Sequence, residues 1–470
     1  MRILICNWKD RTHPAAGGAE VYTHECAKRW SANGHSVTLF CSTVKGQAAE
    51  DTLSGYRIIR SGSRLGVYRN AAKYVRSHHH EYDVIVDEIN TRPFFAHKHA
   101  GDTPVVALAH QVAREVWFHE TPLPVALLGR YVLEPFWLKQ YANVPTLTVS
   151  KSSADSLRDY GLRDLSVVLE GVELPTSVRL PIGKSDHPNL AFCGRLVATK
   201  RPDHAIEAFA MAAAALGPDA ELHVIGTGPL EEKLRQSRPR GVVIHGSVSQ
   251  EEKYRILGEA DALLCTSSRE GWGLVVSEAA AVGTPTIGYN VDGLRDSITA
   301  ANGVIVEPTV EALAAAIMDW IPRFRADRPG IIAFGGAASW DAVAENVLAH
   351  LIRTATSATV AVVVPASTQV IDLTTGPEST RVAAPLANPP STLSPLAAQA
   401  VAPRSGDAGN RNELGPTPQV ILDLTATDDA LVPAGSSAAP TGPGFGKAHP
   451  GVSPTDDSTT ASTQTHGGPR

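Results

Sequence analysis

The stretch Ser267–Thr284 reads S-S-R-E-G-W-G-L-V-V-S-E-A-A-A-V-G-T, and it decides the fold. An apolar, strand-like run, Ala262–Cys265, leads into it. Glu270-Gly271-Trp272-Gly273 makes a glycine turn, and the alanine-rich remainder has the spacing of a buried helix. A strand, a glycine turn and a helix aim backbone N–H groups at whatever lies above the sheet, and the helix N-terminus adds unpaired donors and partial positive charge. That is a seat for phosphate. Glu270 stands just before the helix and Glu278 about two turns along it, so both carboxylates can face one ligand. Carboxylates repel phosphate, so their partners are sugar hydroxyls on either side of it. The ligand that satisfies both conditions is a nucleotide sugar.

Glu270 and Glu278 enclose seven residues that begin G-W-G, and the wider run E-G-W-G-L-V-V-S-E-A-A-A-V-G-T-P continues to Pro285. This resembles the E-x7-E motif of retaining glycosyltransferases of the GT-B fold, family 4. The resemblance covers roughly Met1 to Ile352, dense in the second half and sparse between Gly46 and Pro104. It implies two Rossmann-like, doubly wound parallel-sheet α/β domains facing a cleft. The implied reaction moves a hexosyl group, with retention, from a nucleotide sugar to a hydroxyl of a saccharide, lipid or small-molecule acceptor. It also implies roles: Glu278 on the ribose, Gly271, Trp272, Gly273 and Leu274 near phosphates and sugar, and Glu270 on sugar hydroxyls rather than as a covalent nucleophile.

The rest of the chain carries the pattern such a fold needs. Short β-branched or apolar runs at Ile3–Asn7, Val37–Ser42, Tyr56–Arg60, Val84–Asp87, Val105–His110 and Thr146–Ser150 alternate with amphipathic stretches such as Ala19–Asn33, Tyr68–His79 and Ser152–Tyr160. Alternation of this kind builds a parallel sheet covered by helices on both faces, with ligands beyond the strand C-termini. Val167–Val172 reads as a last strand before Pro-, Ser- and Gly-rich residues. The expected division is a first domain over 1–175, a linker over 176–188, a nucleotide-sugar domain over 189–338, and a helix over 339–353 that crosses back. A tail over 354–470, rich in Pro, Ala, Thr, Ser and Gly with Phe445 its one aromatic, cannot bury enough apolar surface to offset the entropy of ordering, and disorder is expected.

Other candidate contacts come from three loops. Gly17 and Gly18 open the first helix, where paired glycines let backbone approach a ligand. The resemblance assigns them to the donor diphosphate and the acceptor. Arg195 and Lys200 lie on a loop entering a helix, a fork of donors and a point charge suited to a diphosphate. His110 ends an apolar strand, and the resemblance leans it over the donor sugar. The loop Gly246-Ser247-Val248 stands where the family holds the base by backbone contacts. Gly226-Thr227-Gly228 follows a strand, but Glu231 replaces the third glycine of a dinucleotide fingerprint, which argues against a dehydrogenase.

Composition excludes other classes. The chain has 470 residues, 43% hydrophobic, enough for two cores, and a formal net charge of −6 with no basic block, which argues against nucleic acid. Cys6, Cys26, Cys41, Cys193 and Cys265 form no C-x-x-C pair and read as buried reduced thiols of a cytosolic protein. The opening Met1–Ile5 is strand-like, without a secretory segment, so a cytoplasmic location is expected, with the inner membrane face as a peripheral site. No D-x-D occurs, so a metal-independent reaction without a cofactor is expected, with Arg195, Lys200 and helix N-termini supplying positive charge. His78, His79 and His80 read as a solvated helix end rather than metal ligands. Leu123–Tyr141 is rich in Leu and aromatics; core or lid packing is the reading preferred over an acceptor-side or membrane-surface helix. Within the tail, Gln369–Thr374 and Gln419–Thr425 echo each other, either as peptides that add a strand to a protein partner or as compositional drift. Two other readings stay open at this point, a nucleotide-sugar epimerase of the same architecture and a noncatalytic scaffold acting through the tail.

Overall fold

The computed structural model describes residues 1–180, 182–326 and 338–363. Two parallel sheets organise it. β1 (Arg2–Cys6), β2 (Ser36–Cys41), β3 (Glu50–Leu53), β4 (Tyr56–Arg60), β5 (Val84–Glu88), β6 (Val105–Ala109), β7 (Thr146–Thr148) and β8 (Leu165–Val167) form the first, in the order β3-β4-β2-β1-β5-β6-β7-β8. Every pair is parallel except β3–β4. β9 (Gly171–Val172) then leaves the sheet. β10 (Asn189–Cys193), β11 (Glu221–Ile225), β12 (Val242–Gly246), β13 (Ala262–Cys265), β14 (Thr286–Tyr289) and β15 (Val304–Val306) form the second sheet, all parallel, in the order β12-β11-β10-β13-β14-β15. β9 pairs instead with β16 (Ala338–Ser339).

The central strands β5, β6 and β13 are buried along their whole length. That is why they read as unbroken apolar runs rather than alternating ones. In each sheet the winding reverses once, between β1 and β5 in the first and between β10 and β13 in the second. Loops leaving the C-terminal ends of the strands at such a reversal splay apart and leave a crevice. The architecture is the GT-B arrangement of two doubly wound sheets. The helix Trp340–Val363 returns to the first half: the Trp30 indole donates to the Ala344 carbonyl at 2.9 Å, and Arg29 Nε meets Asp341 Oδ1 at 2.5 Å.

Several expectations need correcting. Val167–Val172 is not one strand. The chain pairs with β7 only over β8, then breaks away to β9, where Gly171 lies so close to Trp340 that a Cβ there would sit 2.7 Å from the indole. The expected linker, 176–188, is not among these: it runs between β9 and β10 and lies against the second half, where Lys184 Nζ donates to the Ala260 carbonyl at 2.7 Å and to Thr284 Oγ1 at 2.8 Å. The terminal helix continues past residue 354 to Val363, extending a helix already nucleated by packing upstream. Residues 364–470, with both tail echoes, lie outside the described residues. Leu123–Tyr141 packs as core only in part: Leu138 and Tyr141 are buried, whereas Leu123, Leu127, Leu128, Tyr131, Val132 and Phe136 face outward.

Candidate active site

Four loops at the two reversals converge. In the second half, the loop after β10 ends in a turn at Ala198–Lys200, and Arg201, at φ +46°, starts the helix Pro202–Leu216. The loop after β13 carries Glu270–Gly273 into the helix Leu274–Ala281, with Gly273 at φ +95°. The two loops are laced together. Thr266 Oγ1 lies 2.9 and 2.7 Å from the carbonyls of Lys200 and Arg201, and the Ser268 N–H donates to the Thr199 carbonyl at 2.8 Å. This lacing carries Lys200 to Glu270, and the two form an ion pair. Ser267 Oγ donates to the same carboxylate oxygen at 2.6 Å. Glu278 accepts from Lys253 Nζ at 2.7 Å, a partner that sequence reasoning missed because a lone Lys on an amphipathic helix carries no signal.

Arg195 is exposed and forms no ion pair among the described residues, so its guanidinium is open to an anionic ligand. Val248 is half-buried on the loop after β12. Gly226 and Gly228 serve backbone packing: a Cβ would lie 1.9 Å from the Gly194 carbonyl oxygen and 2.4 Å from that of Leu196. Cys193, half-buried at the end of β10, has its thiol pushed up to about 12 by burial.

In the first half, His110 caps β6 and is buried. Its Nδ1 lies 3.3 Å from Glu170 Oε1, its ring stands edge-on to Tyr22 at 5.1 Å, and its Nε2 has no partner. Burial disfavours the imidazolium, but the hydrogen bond to Glu170 and the charge of that carboxylate, with Glu20 adding to it, outweigh it and raise the pKa. Glu170 was not singled out from sequence, since it sits in a segment read as strand. Gly17 precedes the helix Gly18–Ala32, and its N–H donates to Glu20 Oε2 at 2.5 Å.

The halves meet at the predicted residues. A Cβ on Gly18 would lie 3.4 Å from Leu274, and one on Gly271 only 2.6 Å from the His110 carbonyl oxygen. Trp272 is buried with Tyr22 and Trp340, its indole N–H donating to Ser277 Oγ at 2.9 Å, so its side chain anchors the two halves while its backbone stays in the loop. The N-terminus of the helix Lys151–Arg158 closes the contact. Asp296 accepts from the Ser152 N–H at 2.8 Å and hydroxyl at 2.7 Å, and Ser153 Oγ donates to the His110 carbonyl at 2.9 Å. Arg269 reaches Glu115 at 3.2 Å and Asp292 at 3.0 Å. Arg269 stood in the opening stretch and Asp296 beyond it, neither with a sequence signal for this role.

A cation beside a glutamate on one wall, a buried histidine with an unpartnered Nε2 on the other, and glycine backbone between them suit a diphosphate joined to a sugar. Two family models match successive stretches of the chain: Glycosyltransferase Family 4 over residues 16–175 and Glycosyl transferases group 1 over residues 181–323. The chain belongs to the group 1 glycosyltransferases, family 4. This glycosyltransferase is 26% identical over 365 residues to "Glycogen synthase" of Mycobacterium tuberculosis (strain CDC 1551 / Oshkosh), across 67% of this chain and 85% of that one. It is 33% identical over 136 residues to "GDP-mannose-dependent alpha-(1-6)-phosphatidylinositol dimannoside mannosyltransferase" of M. tuberculosis (strain ATCC 25177 / H37Ra), 28% of this chain and 35% of the relative. Among solved structures, sucrose-phosphate synthase from Thermosynechococcus elongatus superposes with a TM-score of 0.60 at 19% identity, over 76% of this chain and 99% of that one. That likeness shows the fold. The protein is an enzyme that transfers a sugar from a nucleotide-sugar donor.

Proposed function

We propose that this enzyme transfers a hexosyl group with retention of anomeric configuration and without a divalent metal, to a hydroxyl of a saccharide, lipid or small-molecule acceptor. The observation that carries the reading is the meeting of His110, Gly271 and the Lys200–Glu270 pair at one point between the two reversals. Arg195 and Lys200 would take the donor diphosphate, and Glu278 the ribose. His110 would present Nε2–H to the donor, oriented by Glu170.

Glu270 is held by Lys200 and Ser267, which suits a carboxylate that binds sugar hydroxyls rather than one free to attack carbon. The bond from the anomeric carbon to the diphosphate breaks as the acceptor oxygen bonds on the same face, and the acceptor proton passes to the departing phosphate oxygen. Charge left on the diphosphate is stabilised by Arg195 and Lys200, the role a metal plays in D-x-D enzymes. The contacts through Asp296 and Arg269 keep the cleft closed and exclude water, which limits donor hydrolysis. Substituting Glu270→Ala should abolish transfer without changing the melting temperature beyond that of a surface substitution. Full activity in that variant sinks the assignment.

A further inference from the structure

Residues 121–140 are folded inside out. The segment runs through the helix Leu123–Leu128, a wider turn at Gly129–Leu133, and the helix Glu134–Leu138. Its inward face carries Ala126, Gly129, Glu134 and Leu138, all buried. Gly129 backs onto Trp117, where a Cβ would lie 2.4 Å from the indole, and Glu134 accepts the Ala113 N–H at 2.6 Å. Its outward face carries Leu123, Leu127, Leu128, Tyr131, Val132 and Phe136, each between 46% and 64% exposed. The rows 123–127–131 and 128–132–136, at four-residue spacing, lie side by side as one apolar strip. Large contiguous apolar strips on a soluble surface mark a partner.

The charges around the strip say which partner. Glu134 is the only acid between residues 121 and 140, and it is buried. The exposed charges at the strip's end are cations: Lys139, Lys98, bonded to Gln140, and Arg92, stacked 5.9 Å from the Trp137 ring. This local excess opposes the chain's net charge of −6. A second copy docked symmetrically would set the same cations against one another. An apolar strip bordered by Lys and Arg fits an anionic bilayer surface instead, apolar side chains at the acyl boundary and cations among the headgroups. No helix among the described residues is long and apolar enough to cross a membrane.

We infer that this face docks the enzyme on an anionic lipid bilayer. The cleft then opens beside the bilayer, because Glu115, just ahead of the segment, is bound to Arg269 of the glycine-turn loop. Docking does not depend on sugar transfer, so the test stands apart from the activity. The full chain is sedimented with vesicles of phosphatidylcholine alone, or with about one-third phosphatidylglycerol. The wild type should pellet with the anionic vesicles and be released by salt. The combined variant Leu127→Ser, Leu128→Ser, Phe136→Ser should lose binding by about tenfold or more. Lys98→Glu with Lys139→Glu should lose the preference for anionic lipid. Both variants should keep the wild-type melting temperature. A wild type that stays in the supernatant, a serine variant that pellets equally, or a wild-type dimer dissolved by the serine variant without vesicle binding would each overturn the inference.

Discussion

Glu88 should carry a proton in the folded enzyme at neutral pH, and Glu88→Gln should stabilise the chain more the higher the pH. Glu88 ends β5 at the reversal of the first sheet and is buried. Burial pushes its carboxyl up to about 8, against the ordinary 4.5, with the nearby His110 charge and the Thr23 hydroxyl pulling the other way. The hydrogen bonds agree. Asn7 Nδ2 donates to Glu88 Oε2 at 2.5 Å, while Thr23 Oγ1 lies 2.6 Å from Oε1 and 3.0 Å from the Ala19 carbonyl. A hydroxyl has one proton. If Thr23 gives it to Ala19, the short contact with Glu88 needs a proton on the carboxyl. Between pH 4.5 and about 8 the unfolded chain has then lost a proton that the folded chain keeps, so stability falls as pH rises. At about 1.4 kcal/mol per pH unit the loss approaches the order of 5 kcal/mol, comparable with the ~5–15 kcal/mol total of an ordinary domain. Gln reproduces the protonated acid, its carbonyl accepting from Asn7 and its amide donating to Thr23. Urea unfolding of both proteins from pH 5 to 9 should show a difference near zero at the acid end that grows to a plateau above pH 8. A difference flat with pH, or Gln destabilising throughout, would refute the reasoning.

Two further outcomes follow from the contact between the halves. Gly271→Ala would place a Cβ 2.6 Å from the His110 carbonyl oxygen, so the loop must retreat; transfer should fall about tenfold or more while small-angle scattering shows a more open particle. The raised pKa of His110 means that its imidazolium is stabilised in the fold, a contribution complete below 6.5 and lost as pH rises through the higher folded value. Glu170→Gln should therefore move the alkaline limb of kcat/KM to lower pH, and an unmoved limb would detach Glu170 from His110.

The fold was legible because its signal is periodic. Runs such as Val105–Ala109 are buried on both faces and declare a parallel strand, and glycine turns punctuate them. Local patterns also singled out Lys200 and Glu270, which form an ion pair, and Glu278, which pairs with Lys253. What escaped depends on contacts between distant segments. Glu170 reaches His110 across 60 residues, Asp296 reaches Ser152 across 144, and the Trp272 side chain belongs to the buried cluster that holds Tyr22 and Trp340. The 121–140 segment misled in a different way. Its composition is that of a core, and Leu138 does pack inward, but Leu123, Leu127, Leu128, Tyr131, Val132 and Phe136 face out.

The central claim is that Arg195 and Lys200 seat the diphosphate of a nucleotide sugar without a metal. The most direct measurement is the melting temperature of the chain in EDTA against UDP, GDP and ADP sugars, alongside an Arg195→Ala, Lys200→Ala variant. A ligand at a hundred times its dissociation constant adds about 2.7 kcal/mol of stability. A shift with one nucleotide class that disappears in the variant is the predicted result. No shift with any donor, or an equal shift in the variant, would contradict the claim.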